Sequence, residues 1–349
     1  MESLLGLLGI GLSLLNDKIK SCMKGDKSGS AAMGFFISFT TQPEKTISMK
    51  PQTLKAAIIL IACAALITSC NNPTSKNKTT SEARSTADWI TLFNGENLDG
   101  WYTYQKQPEP TSEVSGLARN DDGSYQEPIG LNKDPLGVFT VVSEEDAPAI
   151  RMSGEVFGIL VTEKEFENYH LSLQFKWGQA KYPPRKNEKR DSGILYHSVG
   201  KEGAWGGVWM RSLECQVQEG DCGDYISVDT VLVDIRSGFN EENRWYFHSP
   251  DSALQTFSPS RSYCHKSEDY ENPSGEWNTM EIYTVGGNSV HVVNGKVNNR
   301  VSNSRQLVAG QEIPLSKGKI QLQSEGAEVF YRNIKIRNIE QIPPELLVP

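Results

Sequence analysis

One short segment of alternating side chains holds the residues best suited to chemistry in this sequence. From Leu213 to Gln218 apolar and polar residues alternate, which predicts a β-strand with two different faces. One face carries Glu214, Gln216 and Gln218, a carboxyl group followed by two amides. These groups are costly to bury without partners, and they can exchange hydrogen bonds with sugar hydroxyls. The segment therefore predicts a polar surface that binds carbohydrate.

A second polar row occurs late in the chain. Residues 319–323 also alternate, and Gln323 lies on their polar face with Glu325 just beyond. If both strands belong to one sheet, we expect Gln323 and Glu325 to line one groove with Glu214 and Gln216.

A third short strand, residues 193–197, is flanked by groups that could join this groove. We predict that Asp191 and Tyr196 bind substrate, and that Arg190 supplies the nearest cation for a sugar oxyanion. His197 suits a catalytic role and an ordinary structural role equally well.

A different chemistry follows if two carboxyl groups act together. The pattern Glu214-x-Gln216-x-x-Glu219 is similar to the E-x-D-x-x-E signature of laminarinase-type glycosidases, with Gln216 in place of the middle Asp. There the first Glu is the nucleophile and the last is the acid/base. A retaining mechanism needs carboxyl groups about 5–5.5 Å apart. Five residues of flat strand span about 16 Å, so this alternative requires a bulge.

The elements that must position these groups are strands and turns. Past residue 89 no helical periodicity is visible, and Asn294-Gly295 after an alternating run predicts a hairpin. The alternating segments are 171–177, 193–197, 213–218, 279–283, 289–293, 319–323 and 329–336. We expect an all-β jelly-roll sandwich of two antiparallel sheets. Residues 108–135 and 240–273 lack strand character, as binding loops, lids or surface insertions do.

The segment before this domain has the pattern of a lipoprotein leader. Residues 56–66 are apolar, lysines precede them, and a cysteine, Cys70, stands at the cleavage point. We predict a signal peptide over 49–69, a lipid on Cys70 and a flexible tether over 70–87. Residues 1–48 show no coherent pattern and are predicted to be an upstream extension outside the natural start at Met49. The expected location is the cell envelope, with a membrane as partner.

The net charge and the cysteines of the sequence limit the kinds of partner and metal site to be expected. The formal net charge of −8 argues against a nucleic-acid partner, which would require a basic face. Downstream of the tether stand Cys215, Cys222 and Cys264; pairing of Cys222 with Cys264 or of Cys215 with Cys222 is expected in an oxidising compartment. These cysteines lack the spacing of a metal site. No cofactor is certain from the sequence.

Several motifs occur in an order that resembles one known family. They are residues 92–101 (LFNGENLDGW), 191–196 (DSGILY), 213–218 (LECQVQ), 275–278 (GEWN), 291–295 (HVVNG) and 330–336 (FYRNIKI). Together they resemble the 3-keto-disaccharide hydrolase domain, also called domain of unknown function 1080, over residues 88–340. The resemblance implies a concanavalin A-like jelly roll. Many members are secreted or lipid-anchored proteins of Bacteroidetes and Planctomycetes.

The resemblance also implies a particular reaction. A ketone at C3 of a sugar acidifies the C2 hydrogen, so a base can remove it and the C1 substituent then leaves by elimination. Glu214 or His197 would be the base, and Arg190, Gln216 or a divalent cation would stabilise the enediolate oxygen. The alternative outside catalysis is a surface glycan-binding lipoprotein, since the same fold and groove serve lectins.

Overall fold

Alternating apolar side chains build two antiparallel sheets in the computed structural model, which describes residues 88–348. In chain order the strands are β1 (Ile90–Thr91), β2 (Trp101–Gln105), β3 (Gly130–Leu131), β4 (Phe139–Glu144), β5 (Ala147–Met152), β6 (Gly158–Thr162), β7 (Phe166–Glu167), β8 (Tyr169–Lys181), β9 (Asp191–Val199), β10 (Arg211–Gln218), β11 (Tyr225–Val228), β12 (Val231–Asn240), β13 (Trp245–His248), β14 (Leu254–Phe257), β15 (Tyr263–Cys264), β16 (Asn278–Val285), β17 (Asn288–Val293), β18 (Lys296–Val308), β19 (Gln311–Pro314), β20 (Lys317–Ser324) and β21 (Ala327–Asn338). A short helix, α1 (Pro344–Leu347), follows them.

The strands divide into a twelve-stranded and a nine-stranded sheet. The larger sheet has the order β13-β12-β18-β17-β16-β8-β21-β5-β4, with β1, β14 and β19 paired beside it. The smaller has the order β15-β11-β10-β9-β20-β6-β2-β3, with β7 beside β20. The predicted all-β sandwich of two antiparallel sheets is confirmed.

The main hydrophobic core lies between the two sheets. From β10 it receives Leu213, Cys215 and Val217, and from β8 it receives Leu173 and Phe175, all fully buried. Burying one large apolar side chain stabilises the fold by about 1.5–3 kcal/mol. The polar neighbours of the β10 residues must therefore point to the opposite face of the nine-stranded sheet.

The predicted hairpin at Asn294-Gly295 is confirmed. These two residues join β17 to β18 and have φ angles of 49° and 76°. A two-residue loop with both φ angles positive matches the twist of the paired strands, and Asn followed by Gly adopts it most readily.

Two other expectations are corrected. The stretch 240–273 contains β13, β14 and β15, because pairing with neighbours such as β12 stabilises strands that show no alternation of their own. Within the described residues Cys215, Cys222 and Cys264 are all free and buried, so the expected disulfide is absent. The thiols of Cys222 and Cys264 instead lie against the carbonyl oxygens of Gln218 and His265, at 3.4 and 3.7 Å.

The predicted lipoprotein leader precedes the part of the chain that the structure describes. Cys70 and the predicted signal peptide lie outside the described residues. Between residues 88 and 348 no helix is both long and apolar enough to cross a membrane.

Candidate active site

The outer face of the nine-stranded sheet, turned away from the twelve-stranded sheet, carries a row of polar side chains. Strand β10 places Glu214, Gln216 and Gln218 there because its apolar residues point into the core. On the neighbouring strand β9, Asp191 pairs with Gln218 and Gly193 pairs with Gln216. Directly paired residues share one face of a sheet, so these groups are neighbours.

Strand β20 brings the second predicted row to the same place. It pairs with the other edge of β9 and buries Leu322 in the core, which leaves Gln323 on the outer face. Glu325 follows the end of the strand. The structure thus brings together Asp191, Glu214, Gln216, Gln218, Gln323 and Glu325, and we call this set, with Arg185, the polar cluster.

Gly193 makes room for two side-chain oxygens at the centre of the polar cluster. A Cβ atom added there would lie 2.4 Å from Oε1 of Glu214 and 2.4 Å from Oε1 of Gln323. Contacts that short do not occur between non-bonded atoms, so only glycine allows both oxygens to converge over this backbone position.

Arg185 is the cation of the polar cluster, and no pattern in the sequence predicts it. Its Nη2 lies 2.6 Å from Oδ2 of Asp191, and its Nη1 lies 3.7 Å from Oε1 of Glu325. Arg185 stands in the loop between β8 and β9, where no periodicity marks the direction of a side chain. Its guanidinium compensates two carboxyl groups that are largely withdrawn from water.

Amide groups satisfy part of the remaining hydrogen-bonding capacity. Gln216 and Gln218 both donate to Asp191, at 3.2 and 2.5 Å. The amide oxygens of Gln216 and Gln323 are buried and have no partner among the described residues. Unpartnered buried acceptors are costly, and a ligand hydroxyl would satisfy them.

The carboxyl groups of the cluster hold their protons unusually tightly. Burial, followed by the nearby charge of Asp191, raises the pKa of Glu214 well above its ordinary value. Burial, followed by the charge of Glu325, does the same to the pKa of Asp191. Burial raises the pKa of Glu325 to about 8, against the opposing effect of Arg185. All three acids of this water-poor site therefore hold a proton to higher pH than the same groups do in water.

Stability should therefore fall as pH rises. In the unfolded chain Glu325 ionises near its ordinary value of 4.5, whereas the folded protein holds the proton up to about pH 8. Between these values the folded state binds more protons, so each pH unit costs at most about 1.4 kcal/mol for this group. We expect Glu325→Gln to reduce the loss of melting temperature between pH 5 and pH 8 by several degrees, measured by differential scanning fluorimetry. Parallel pH curves for both proteins would contradict this.

Tyr196 and His197 lie outside the polar cluster, which corrects their predicted role. The Tyr196 hydroxyl lies 2.6 Å from Oγ of Ser289 on β17, and Nε2 of His197 lies 2.9 Å from Oγ1 of Thr284 on β16. A bulge causes this: His197 has φ 51° and the register of β9 shifts there against both neighbouring strands. Both side chains therefore point between the sheets. Burial lowers the pKa of His197 to about 3, so it is a neutral structural residue.

Arg190 and Glu219 are also placed elsewhere. Arg190 Nη1 lies 3.0 Å from Oε1 of Glu219, and its Nε donates to the carbonyl oxygen of Gly178 on β8. The pairing of β10 with β9 is regular from Leu213 to Gln218, so the bulge required for a two-carboxylate mechanism is missing in this stretch. Arg190 is therefore not the oxyanion cation, and the Glu214/Glu219 mechanism is not supported.

An aromatic pair and a cavity lie near the polar cluster. On one side the loop after β9 packs Trp209 onto Phe157, with ring centroids 6.3 Å apart, and Lys106 lies over the same Phe157 ring. On the other side a cavity of about 340 Å³ opens beside Asp224 and His265. Neither this cavity nor a cavity of about 380 Å³ on the twelve-stranded sheet, beside Gln174, is lined by a predicted site residue.

Comparison with known proteins gives one informative match. Residues 88–337 match the family model described as the 3-keto-alpha-glucoside-1,2-lyase-like domain. A search of curated proteins finds no match.

The chain is also similar to several solved structures. A protein of Parabacteroides distasonis described as a candidate glycosyl hydrolase is 16% identical, with 72% of this chain and 100% of that chain covered and a TM-score of 0.36. The carbohydrate-binding module CBM66 of Bacillus subtilis is 7% identical, with 57% of this chain and 92% of that chain covered and a TM-score of 0.35. Domain 4 of the Geobacillus stearothermophilus arabinanase AbnA, in complex with arabinotriose, is 10% identical, with 70% of this chain and 85% of that chain covered and a TM-score of 0.31. Likeness at these scores says nothing about what this chain does. The family model, by contrast, spans most of the sequence, and on that ground the chain belongs to the 3-keto-α-glucoside-1,2-lyase-like domain family.

Proposed function

We propose that this protein cleaves 3-keto-glycosides by removing the proton at C2 and expelling the substituent at C1. The observation that supports this is Glu214, a 3% exposed carboxyl group with a raised pKa whose Oε1 lies over Gly193 in the polar cluster. A general base works best when its pKa lies near the working pH, and burial moves a carboxyl group in that direction. Membership of the family supports the 3-keto sugar as the substrate class.

The proposed reaction proceeds in two stages. The Glu214 carboxylate takes the C2 proton, and the electrons of that bond form a C2–C3 double bond with negative charge on the C3 oxygen. The C3 carbonyl then re-forms, and the electrons of the C2–C3 double bond form a C1–C2 double bond. The bond from C1 to the leaving oxygen breaks in this step, and the leaving group accepts a proton. Water can add across the new double bond, which makes the net result a hydrolysis.

In the proposed mechanism Arg185, and not Arg190, is the cation that stabilises the enediolate oxygen. It is the cation of the polar cluster, and its charge would stabilise negative charge that develops on the substrate. The free amide oxygens of Gln216 and Gln323 would accept hydrogen bonds from sugar hydroxyls and orient the ring. A divalent cation would add a second positive charge for the enediolate oxygen. Among the described residues, Asp221, Asp224 and His265 place potential ligand atoms within 4.8 Å of one another.

Product analysis by mass spectrometry tests the proposal. The purified protein is incubated with a 3-keto-disaccharide and, separately, with the unoxidised disaccharide, each with EDTA and with added Mg²⁺, Ca²⁺ or Mn²⁺. We expect cleavage of the keto sugar only, with incorporation of a solvent deuteron at C2 in D₂O when elimination reverses or water adds. Cleavage of the unoxidised sugar would contradict proton abstraction. Binding without cleavage of either sugar would identify a glycan-binding protein instead.

We further propose that the protein is anchored to the cell envelope through Cys70. The apolar segment before a cysteine supports this. Mass spectrometry of the mature N-terminus after expression of the full chain should find a lipid-modified Cys70, and Cys70→Ser should release the protein from the membrane fraction. An unmodified Cys70 would refute the anchor.

A further inference from the structure

The cavity of about 380 Å³ lies on the outer face of the twelve-stranded sheet, with the core between it and the polar cluster. Strand β8 buries Leu173 and Phe175 in the core, so Ser172 and Gln174 point outward into the cavity. Two sequence motifs that the proposed reaction does not use, residues 92–101 and 330–336, meet here and supply more than half of the lining. These motifs therefore build a site that is separate from the polar cluster.

A bulge in β21 shapes the cavity. The pairing of β21 with β8 shifts register between Arg332 and Lys335, so two residues of β21 stand opposite one residue of β8. Asn333, the first of these two, has a φ angle of 54°, which Asn tolerates better than most residues. The extra residue places both Asn333 and Lys335 at the cavity, where the Asn333 amide donates to Oε1 of Gln174 at 2.8 Å.

The edge of β21 at the bulge is left open. On the side away from β8, β5 pairs with β21 as far as Tyr331, and β1 pairs with it from Lys335 onward. Within residues 88–348 no strand fills the gap between them. Phe93 and Pro148 stand on either side of this gap and give the cavity apolar walls.

A single positive charge faces the cavity. Of the residues that line it, all of them in the described domain, only Lys335 is charged. Its Nζ lies 4.6 Å from the centroid of the Trp89 ring, and it forms no ion pair within residues 88–348. Glu281, on the adjacent strand β16, hydrogen-bonds with His170 at 2.8 Å and stays outside the lining. A cation without a carboxylate partner, in a chain with a net charge of −8, favours a ligand with one negative charge.

The other polar groups of the lining are neutral, and each can both donate and accept hydrogen bonds. They are the hydroxyls of Thr91, Ser172 and Thr279 and the amides of Asn94, Gln174 and Asn333. Asn333 uses one amide hydrogen on Gln174, and within the described domain its amide oxygen has no partner. Ligand hydroxyls suit such a lining because they also donate and accept, whereas sulfate only accepts.

We infer that this cavity, which we call the Lys335 site, binds a sugar acid. The carboxylate of the ligand lies at Lys335, its hydroxyls bond to the neutral polar groups, and the C–H groups of its ring pack on Phe93 and Pro148. The volume falls within the range of small-molecule sites. A free sugar acid and the end of an acidic polysaccharide present the same chemistry to this site.

The test compares two sugars that differ in one carboxylate, methyl β-glucuronide and methyl β-glucoside, by calorimetric titration. We expect the wild type to bind the glucuronide at least about tenfold more tightly, and Lys335→Gln to remove this advantage. Lys296→Gln is the matched control, because it removes the same charge from an exposed residue of β18 outside the cavity. Free glucuronate is titrated in parallel: tighter binding than the glucuronide assigns the free acid, and weaker binding assigns a glycan end.

Three results would overturn the inference. They are equal affinities of the wild type for the two methyl sugars, an undiminished advantage in Lys335→Gln, and inorganic sulfate bound as tightly as the glucuronide.

A second variant keeps the test decisive if Lys335→Gln does not fold. Asn333→Gly preserves the backbone at a φ angle of 54° and removes only the amide, so both methyl sugars should bind severalfold more weakly. Unchanged affinities in this variant would refute the site.

The inference is independent of the proposed function, because these titrations involve no turnover. Glu214→Gln should bind the glucuronide as the wild type does, since Glu214 lies on the other sheet. Loss of glucuronide binding in Glu214→Gln would place the ligand in the polar cluster and overturn the Lys335 site.

Discussion

Replacing Glu214 with Gln should lower turnover of a 3-keto-glycoside by about 10²–10⁴-fold, the usual contribution of a general base. Gln keeps the shape of the side chain and removes the proton acceptor. Because burial raises the pKa of Glu214, the fold gains from the neutral amide, and the variant should melt at or above the wild-type temperature near pH 8. Steady-state rates and melting curves on the same preparations check both expectations.

Glu219→Gln is the matched control for this prediction. Glu219 is one-third exposed and pairs with Arg190 outside the polar cluster, so turnover should stay close to wild type. The activity of the wild type should also rise with pH, with a midpoint well above 4.5, since only the ionised form of Glu214 accepts the proton. A Glu214→Gln variant with wild-type rates would remove Glu214 from the mechanism.

Replacing Arg185 with Met should cause the largest loss of stability, about 3–5 kcal/mol at pH 8. The change leaves Asp191 and Glu325 without their cation, and their side chains are only 4% and 14% exposed. At pH 5 the loss should be smaller, because both carboxyl groups can then be neutral in the folded protein. Urea unfolding at the two pH values measures the difference.

Arg190→Met gives the comparison within the same loop. Its partner Glu219 is far more exposed than Asp191, and such a pair contributes about 0–1 kcal/mol. If Arg190→Met were as destabilising as Arg185→Met, or if the Arg185→Met loss did not depend on pH, the polar cluster would not be organised around Arg185.

Regular alternation made part of the candidate site predictable. The apolar residues of β10 had to face the core, so the face of Glu214, Gln216 and Gln218 followed from the sequence. The same argument placed Gln323 on β20. Which strands become neighbours depends on contacts far apart in the chain. For that reason the meeting of the two rows could only be expected conditionally.

The remaining site residues depend on features that a periodic pattern does not contain. One extra residue at His197 reverses the alternation of β9, so Tyr196 and His197 both face the other sheet. Arg185 lies in the loop between β8 and β9, where no alternation marks the direction of a side chain. The role of Gly193 becomes visible only when the positions of Glu214 and Gln323 are known.

The three free cysteines of the described domain have a practical consequence. Cys215, Cys222 and Cys264 are fully buried, and burial raises the pKa of each thiol, which suppresses the reactive thiolate. Residues 88–348 thus contain no exposed thiol and need no oxidant to complete their covalent structure. A single cysteine introduced beside the cavity at Asp224 and His265 would be the only thiol in residues 88–348 open to a maleimide dye. Ligand entry could then be followed by fluorescence with the natural cysteines left in place.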